Sequence, residues 1–331
     1  MHEGEGLEVR LATADDAEDI AGLIRAQYGD GYADPTYVDP AALREKLAGG
    51  DVRYAVARVD GVLAGQMAVE RCSRHLWEFA RALVRPAARN HGVLLALDGH
   101  LLERALRPDR AARFFFARSV THHVVSQRHG RRVGARALGL LLGHWPASAI
   151  EGAAGDAPVS ALVTGRALVP MRRRRLAVAG RVRARCEAVL DDLGVGVSPE
   201  TLKAGLPLGV AWQAAPALGL VHARLGRAPG ALATLSDDLA RAREGARLAW
   251  VDVPSEHPRA AAVVDSLERV GFSFGAYLPF GGLAGEDVVR LQRLDGPPPG
   301  PTSMTLLDDH LPLRDAVLAD AALARTEQAC A

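Results

Sequence analysis

Arg89, Asn90, His91 and Gly92 stand between two runs of contrasting pattern. Before them, FARALV (79–84) reads as a buried strand, and after them ALDGHLLERAL (96–106) reads as an amphipathic helix. A strand that turns into a helix through such a loop is suited to hold an anion. The first helical turn presents N–H groups with no partner of their own, and the helix dipole adds positive potential at the same point. Arg89 contributes a permanent charge, and Gly92 permits a backbone approach that a Cβ would block. Other groups capable of chemistry lie nearby: Glu70 late on one expected strand, Glu78 on the next, and Thr121-His122-His123 at the end of a third. A carboxylate can take a proton from a nucleophile, and an imidazole can relay one or contact a substrate near neutral pH. No Cys or carboxylate accompanies the two histidines at ligand spacing, so no metal is expected there.

A chain of 331 residues with 49% apolar content is long enough for two ordinary domains and is neither fibrous nor disordered. The net charge of +1 argues against a general nucleic-acid binder. Charge is nevertheless uneven: residues 81–136 hold twelve Arg against Asp98, Glu103 and Asp109, and a polyanionic ligand would be drawn to that stretch. Arg172 to Arg175 form a second basic run, a solvated face or a dock for an acidic carrier protein or a tRNA acceptor stem. Cys72, Cys186 and Cys330 are widely spaced and suggest reduced thiols in the cytoplasm. The start, MHEGEGLEVR, lacks an apolar leader, and no apolar run approaches a membrane span, so neither secretion nor a membrane partner is expected.

These residues are carried by a regular succession of elements. A strand at 7–12, a helix around Ile20, Leu23 and Ile24, and a short helix at 40–47 come first. A hairpin turning at Asp60-Gly61 is next, then the strand before the loop, the helix after it, RFFFARSV as a strand, VVSQRHGRRVG as a helix and ARALGLLLG as a strand. EGAAGDAP (151–158) is small and acidic, as a linker would be. Beyond it, helices and strands recur in similar order, and both halves contain a helix ending in Val-Gly, at 131–134 and 268–271. PPPGP (297–301) breaks the chain before a tail helix.

The loop Arg89-Asn90-His91-Gly92-Val93 resembles the donor-binding motif of the GCN5-related N-acetyltransferases (GNATs), Arg/Gln-x-x-Gly-x-Gly/Ala. Leu94 stands where the family has Gly or Ala. The resemblance implies an α/β chain of two GNAT-like domains, each a mixed central β-sheet flanked by helices. Residues 1–150 would form the catalytic N-terminal domain with its donor loop at 89–94, and 151–159 the linker. Residues 160–295 would form a degenerate second domain, and 296–331 the Pro-rich linker and tail.

It also implies an activity: transfer of an acyl group from acyl-CoA, or from a carrier-bound phosphopantetheine, to an amine of a small molecule. Specialised metabolism is the expected setting, and attack would be direct, through a tetrahedral intermediate. By resemblance, Arg89 to Leu94 would bind the phosphates, and backbone near Leu83 and Val84 the thioester and pantetheine. Ser126 and Gln127 would lie on the donor side. Glu70 or Glu78 would serve as base, with His122 and His123 at the substrate. Family members often place a Tyr acid at the position of Gly130, and here it is missing, with His129 adjacent. In the second half, Arg227 and Gly230 flank Pro229 as the relic of a donor loop, and Pro254, Tyr277, Phe280 and Gly281-Gly282 are candidates to wall an acceptor pocket. Three rivals stay open: an aminoacyl-tRNA-dependent transferase, a thioester-processing enzyme, and a non-catalytic ligand-binding or scaffold protein.

Overall fold

The computed structural model describes residues 6–29, 32, 34–150, 152–153, 156–199, 207–228, 230–242 and 244–329. Pro229 and Cys330 lie outside the described residues. The chain divides into two compact units, Met1–Ala117 and Arg118–Ala331.

The first unit contains β1 (Leu7–Leu11), α1 (Ala17–Tyr28), α2 (Pro40–Gly49), β2 (Val52–Val59), β3 (Val62–Arg71), β4 (Leu76–Val84), α3 (Val93–Leu101) and the start of β5 (Phe114–Val120). Strands β1 to β5 are neighbours in sequence order, antiparallel except for β4 beside β5, which is parallel. This is the expected mixed sheet with the loop on its fourth strand. Asp60 (φ 49°) and Gly61 (φ 77°) are both left-handed, the backbone that lets a tight hairpin follow the twist of β2 and β3. Alternation along β2 sends Val52, Tyr54 and Val56 to one face, where they pack with Ile20, Ile24 and Leu43 of α1 and α2. Helix α3 packs against β2 and β3. Trp77, fully buried, has the guanidiniums of Arg53 and Arg71 4.6 and 4.8 Å from its ring centre, and both reach Asp109 Oδ2.

The second unit holds α4 (Val125–Arg132), β6 (Arg136–Trp145), β7 (Val159–Ala167), α5 (Gly180–Asp192), β8 (Gly209–Ala215), β9 (Leu220–Gly226), β10 (Gly230–Ala231), α6 (Leu235–Ala242), β11 (Leu248–Pro254), α7 (Ala260–Arg269), β12 (Ser273–Leu278), β13 (Val288–Leu294) and α8 (Leu311–Ala329). Its strands run β7-β6-β12-β13-β11-β9-β8-β10, with β9 and β11 parallel. The division at 117/118 differs from the linker expected at 151–159, and hydrogen bonding explains why β6 and β7 belong with the later strands. β7 pairs with β6. Buried Gln292 on β13 then accepts from Leu142 N–H (2.8 Å) and donates to the carbonyls of Leu140 (2.9 Å) and Phe274 (3.1 Å). Gly139 permits the crossing, since a Cβ there would collide with Gly275 O and Ala276 Cα.

Charge ties the elements of each unit. In the second, buried Asp252 accepts from Arg290 Nε and Nη2, each 2.8 Å away, and lies 2.8 Å from His222 Nε2, joining β9, β11 and β13. In the first, Asp16 is 3% exposed and accepts from Arg10 Nη1 and Nη2 (2.7 and 2.8 Å), Arg58 Nη2 (3.3 Å) and Thr13 N–H (2.8 Å). Burial alone would raise the Asp16 carboxyl, but the Arg10 and Thr13 bonds outweigh it and hold it at about 2. A depressed carboxylate stabilises the fold above its unfolded pKa, and that stability is lost as pH falls through the folded value. Asp16→Asn should therefore cost about 2 kcal/mol at neutral pH. Denaturant titrations should show the gap from the wild-type protein closing between the usual carboxylate range and about pH 2.

Candidate functional site

Two features of the first unit meet at the end of β4. The first is the loop. Arg85 N–H bonds Ala64 O (2.8 Å) and Arg85 Nε bonds Leu63 O (2.6 Å), which fastens the end of β4 to β3. Pro86–Ala88 make one tight turn. Asn90 (φ 69°) and Gly92 (φ 76°) are both left-handed, and α3 begins at Val93 with Gly92 as its N-cap. No acidic residue lies in the first turn of α3 and no side chain caps it. Its leading N–H groups are thus aimed past an exposed glycine, with positive potential unopposed by a carboxylate. A Cβ on Gly92 would meet no protein atom within 4 Å. Arg89 is exposed, its Nε 3.2 Å from Val84 O. Gly65 sets the approach of helix to sheet: a Cβ there would lie 3.0 Å from both Leu83 O and Val93 Cγ1.

The second feature is a break in β4. Ladder partners run Ala68↔Ala80, then Gln66↔Leu83, so the strand carries extra backbone opposite β3. At that point Arg81 has φ 55°, a left-handed state that costs a non-glycine residue about 1–2 kcal/mol. Its guanidinium lies 3.5 Å from the centre of the Tyr37 ring and donates from Nη1 to Glu70 Oε2 at 2.7 Å. Tyr37 O–H donates to Glu70 Oε1 at 3.1 Å. Burial by itself would raise the Glu70 carboxyl, but the charge and hydrogen bond of Arg81, with that of Tyr37, hold it below the usual range. Glu78, buried, is the direct cross-strand neighbour of Glu70. The two carboxylates named from sequence are therefore adjacent, one of them bound to an arginine.

Sequence reasoning missed Arg81, Tyr37, Tyr54 and Gln66. The available signal was Arg81 itself, a lone charge within the apolar run FARALV. Tyr54 and Gln66 are on β2 and β3, and neither Tyr54 Oη nor either amide atom of Gln66 has a hydrogen-bond partner among the described residues.

The remaining site expectations fall in the second unit. His122 and His123 are half-buried with ring centres 4.3 Å apart, and His123 Nδ1 accepts from Val125 N–H (3.3 Å) at the start of α4. Gln127 is fully buried and committed to main chain. Its Nε2 donates to Thr305 O (2.9 Å) and His123 O (3.0 Å), and its Oε1 accepts from Leu307 N–H (3.1 Å). Ser126 is its neighbour on α4, and a Cβ on Gly130 would lie 3.4 Å from Thr164 Oγ1 on β7. Gly230 belongs to β10, where a Cβ would lie 2.5 Å from Val210 O, and α6 carries Asp237 and Asp238 in its first turn. Tyr277 O–H donates to Asp287 at 2.6 Å and Phe280 N–H to the same carboxylate at 2.9 Å. The arginine run is divided: Arg174 pairs with buried Asp287 (2.7 Å) and Arg175 with Glu256 (3.2 Å), while Arg172 and Arg173 are exposed, Arg173 donating to Val197 O (2.7 Å). Among the described residues no group of three or more His, Cys, Asp or Glu is placed to hold a metal ion, and no helix is long and apolar enough to cross a membrane.

Solved structures, acetyltransferases among them, resemble part of this chain. Ard1 from Thermoplasma volcanium is 16% identical with a TM-score of 0.38, the match taking in 50% of this chain and 99% of that one. A GNAT-superfamily phosphinothricin acetyltransferase from Sinorhizobium meliloti, solved with acetyl-CoA, is 25% identical with a TM-score of 0.39, over 49% and 89%. The ribosomal-protein-S5-alanine acetyltransferase from Vibrio fischeri is 14% identical with a TM-score of 0.39, over 50% and 94%. No protein-family model matches the chain. No curated protein matches it.

The Arg81–Glu70 pair makes a prediction independent of any ligand. Arg81→Met leaves the half-buried Glu70 carboxylate with Tyr37 O–H but without its cation, which should cost about 1–2 kcal/mol at neutral pH. Without Arg81, burial raises the Glu70 pKa, so the variant should regain stability on mild acidification while the wild-type protein does not. Thermal unfolding followed from neutral pH to about pH 5 checks the opposite slopes.

Proposed function

We propose that the protein is an N-acyltransferase that moves an acyl group from a pantetheine thioester to an amine of a small molecule. The observation that carries this reading is the acid-free N-terminus of α3 behind the left-handed Asn90 and Gly92, with open space over Gly92 and Arg89 beside it. Residues 89–94 would hold the phosphates of the donor, and main chain near Leu83 and Val84 its thioester end. The amine attacks the thioester carbonyl, a C–N bond forms, and the tetrahedral intermediate collapses with loss of the C–S bond. A thiolate needs little protonation to leave, since a thiol titrates near 8.5. Glu78 takes the proton of the attacking ammonium, while Glu70, bound to Arg81, positions that arginine. A backbone N–H aimed at the developing oxyanion is the largest electrostatic contribution expected of such a site.

In the second unit, β8-β9-β11-β13-β12 is proposed as a degenerate second GNAT-like domain, with parallel β9 and β11 in the place of β4 and β5. Asp237 and Asp238 in the first turn of α6 disfavour phosphate, in contrast to α3. A second reading of the donor comes from Leu94, half-buried in the first turn of α3. A side chain there narrows the space for a pyrophosphate, and a carrier-borne arm with its single phosphate needs less of it.

Acetyl-CoA and acetylated carrier protein, each incubated with an amine panel and monitored for free thiol, test the proposal. Thiol release should require amine and match its consumption. Arg89→Ala should raise the donor KM about tenfold with kcat little changed. Thiol release without amine would indicate a hydrolase instead, and no release from either donor would overturn acyl transfer.

A further inference from the structure

Among the described residues of the first unit, five side chains have buried polar atoms without hydrogen-bond partners, and three of them, Tyr54, Gln66 and Arg81, share one face beside the β4 break. Tyr54 is 1% exposed and Gln66 is 0% exposed. Neither Tyr54 Oη, nor the Gln66 amide, nor Arg81 Nε has a hydrogen-bond partner among the described residues. Buried groups in native proteins are rarely left so, because each costs about 1–3 kcal/mol. Register keeps them together. Tyr54 pairs with Ala68, whose β4 partner Ala80 precedes Arg81, and Gln66 pairs with Leu83. Tyr37, under the Arg81 guanidinium, and Lys46, 4.9 Å from the Tyr37 ring, close the side formed by α2 and the turn before it.

We propose that Tyr54, Gln66 and Arg81 receive the carboxylate of the acyl acceptor, so that the acceptor is an amino acid or another amine bearing a carboxylate. The role of acceptor rests on the acyl-transfer reading, whereas the carboxylate site does not. The unused groups are mainly donors: one N–H of Arg81, the Tyr54 hydroxyl and the two N–H bonds of Gln66. A carboxylate offers only acceptor lone pairs and complements them. Glu70 has already fixed the Arg81 fork through Nη1, so the ligand meets a guanidinium ordered in advance. Glu70 and Glu78, opposite each other, set negative charge beside the same donors. That balance favours a ligand carrying an ammonium with its carboxylate over a polyanion. It also places the carboxylate one ladder step from Leu83, where main chain is proposed to hold the thioester.

The experiment pairs each standard amino acid with its decarboxylated amine. Binding to the full-length protein is measured by calorimetry without donor, and turnover by acetyl-CoA thiol release. Tyr54→Phe and Gln66→Leu remove only unpartnered groups, so both variants should unfold at the wild-type temperature or above. At least one amino acid should bind and its matched amine should bind at least about tenfold more weakly. Each variant should weaken the amino acid by at least about tenfold while the donor KM stays constant. Equal binding of amino acid and amine, no binding of any amino acid, or variants that gain stability with unchanged affinity would overturn the proposal. The last result would mean that the site holds only water. Amino acids that bind the wild-type protein and not the variants, with no thiol released for any amine, would sustain the carboxylate site and defeat acyl transfer instead.

Discussion

Arg81 is the residue on which the arrangement of the first unit turns. Its backbone is left-handed inside a strand, a conformation that the chain does not adopt without compensation. The compensation is a stacked, ion-paired guanidinium between Tyr37 and Glu70. With that contact in place β4 is displaced by its extra backbone opposite β3, and the strand delivers Val84 to the turn that starts α3. One ion pair therefore determines where the anion-binding loop begins and which polar groups are left facing the α1–α2 side of the sheet.

The two halves of the chain spend similar residues differently. Gly92 leaves open space at a helix start with no acid in its first turn, whereas Gly230 is consumed by contact between β10 and β8, ahead of a helix whose first turn holds Asp237 and Asp238. The second unit instead turns its charges inward. Asp252 with Arg290 and His222 binds β9, β11 and β13 to one another, and Asp287 with Arg174 and Tyr277 ties the turn before β13 to β12 and to the segment ahead of α5. Burial would raise Asp252, but Arg290 and His222 hold it far below the usual carboxylate range, as a structural pair requires.

What could be read from the sequence was local. Asp60-Gly61, the helix at Ile20 to Ile24 and the strand–loop–helix around Gly92 are each specified by a few adjacent residues, and they form where expected. β7 and β8 were not expected. β7 is buried on both faces and so shows no alternation, and β8 is mostly Gly, Ala and Gln, so neither carries a period that adjacent residues could reveal. The same applies to the site. Glu70 and Glu78 were legible as carboxylates on neighbouring strands, but their company of Tyr37, Tyr54, Gln66 and Arg81 is assembled from separate elements by register. Gln127 and Arg174 show the converse, since conspicuous polar residues are occupied by main chain at 305–307 and by Asp287.

The central claim is that the loop at 89–94 binds a pantetheine donor through its phosphates, and calorimetric titration of CoA and acetyl-CoA tests it most directly. The account predicts micromolar binding to the wild-type protein that Gly92→Trp abolishes, because the indole would fill the space left open over the glycine. Binding that survives in the Gly92→Trp protein would put the donor elsewhere, and no binding of either thiol or thioester would contradict free CoA as the donor.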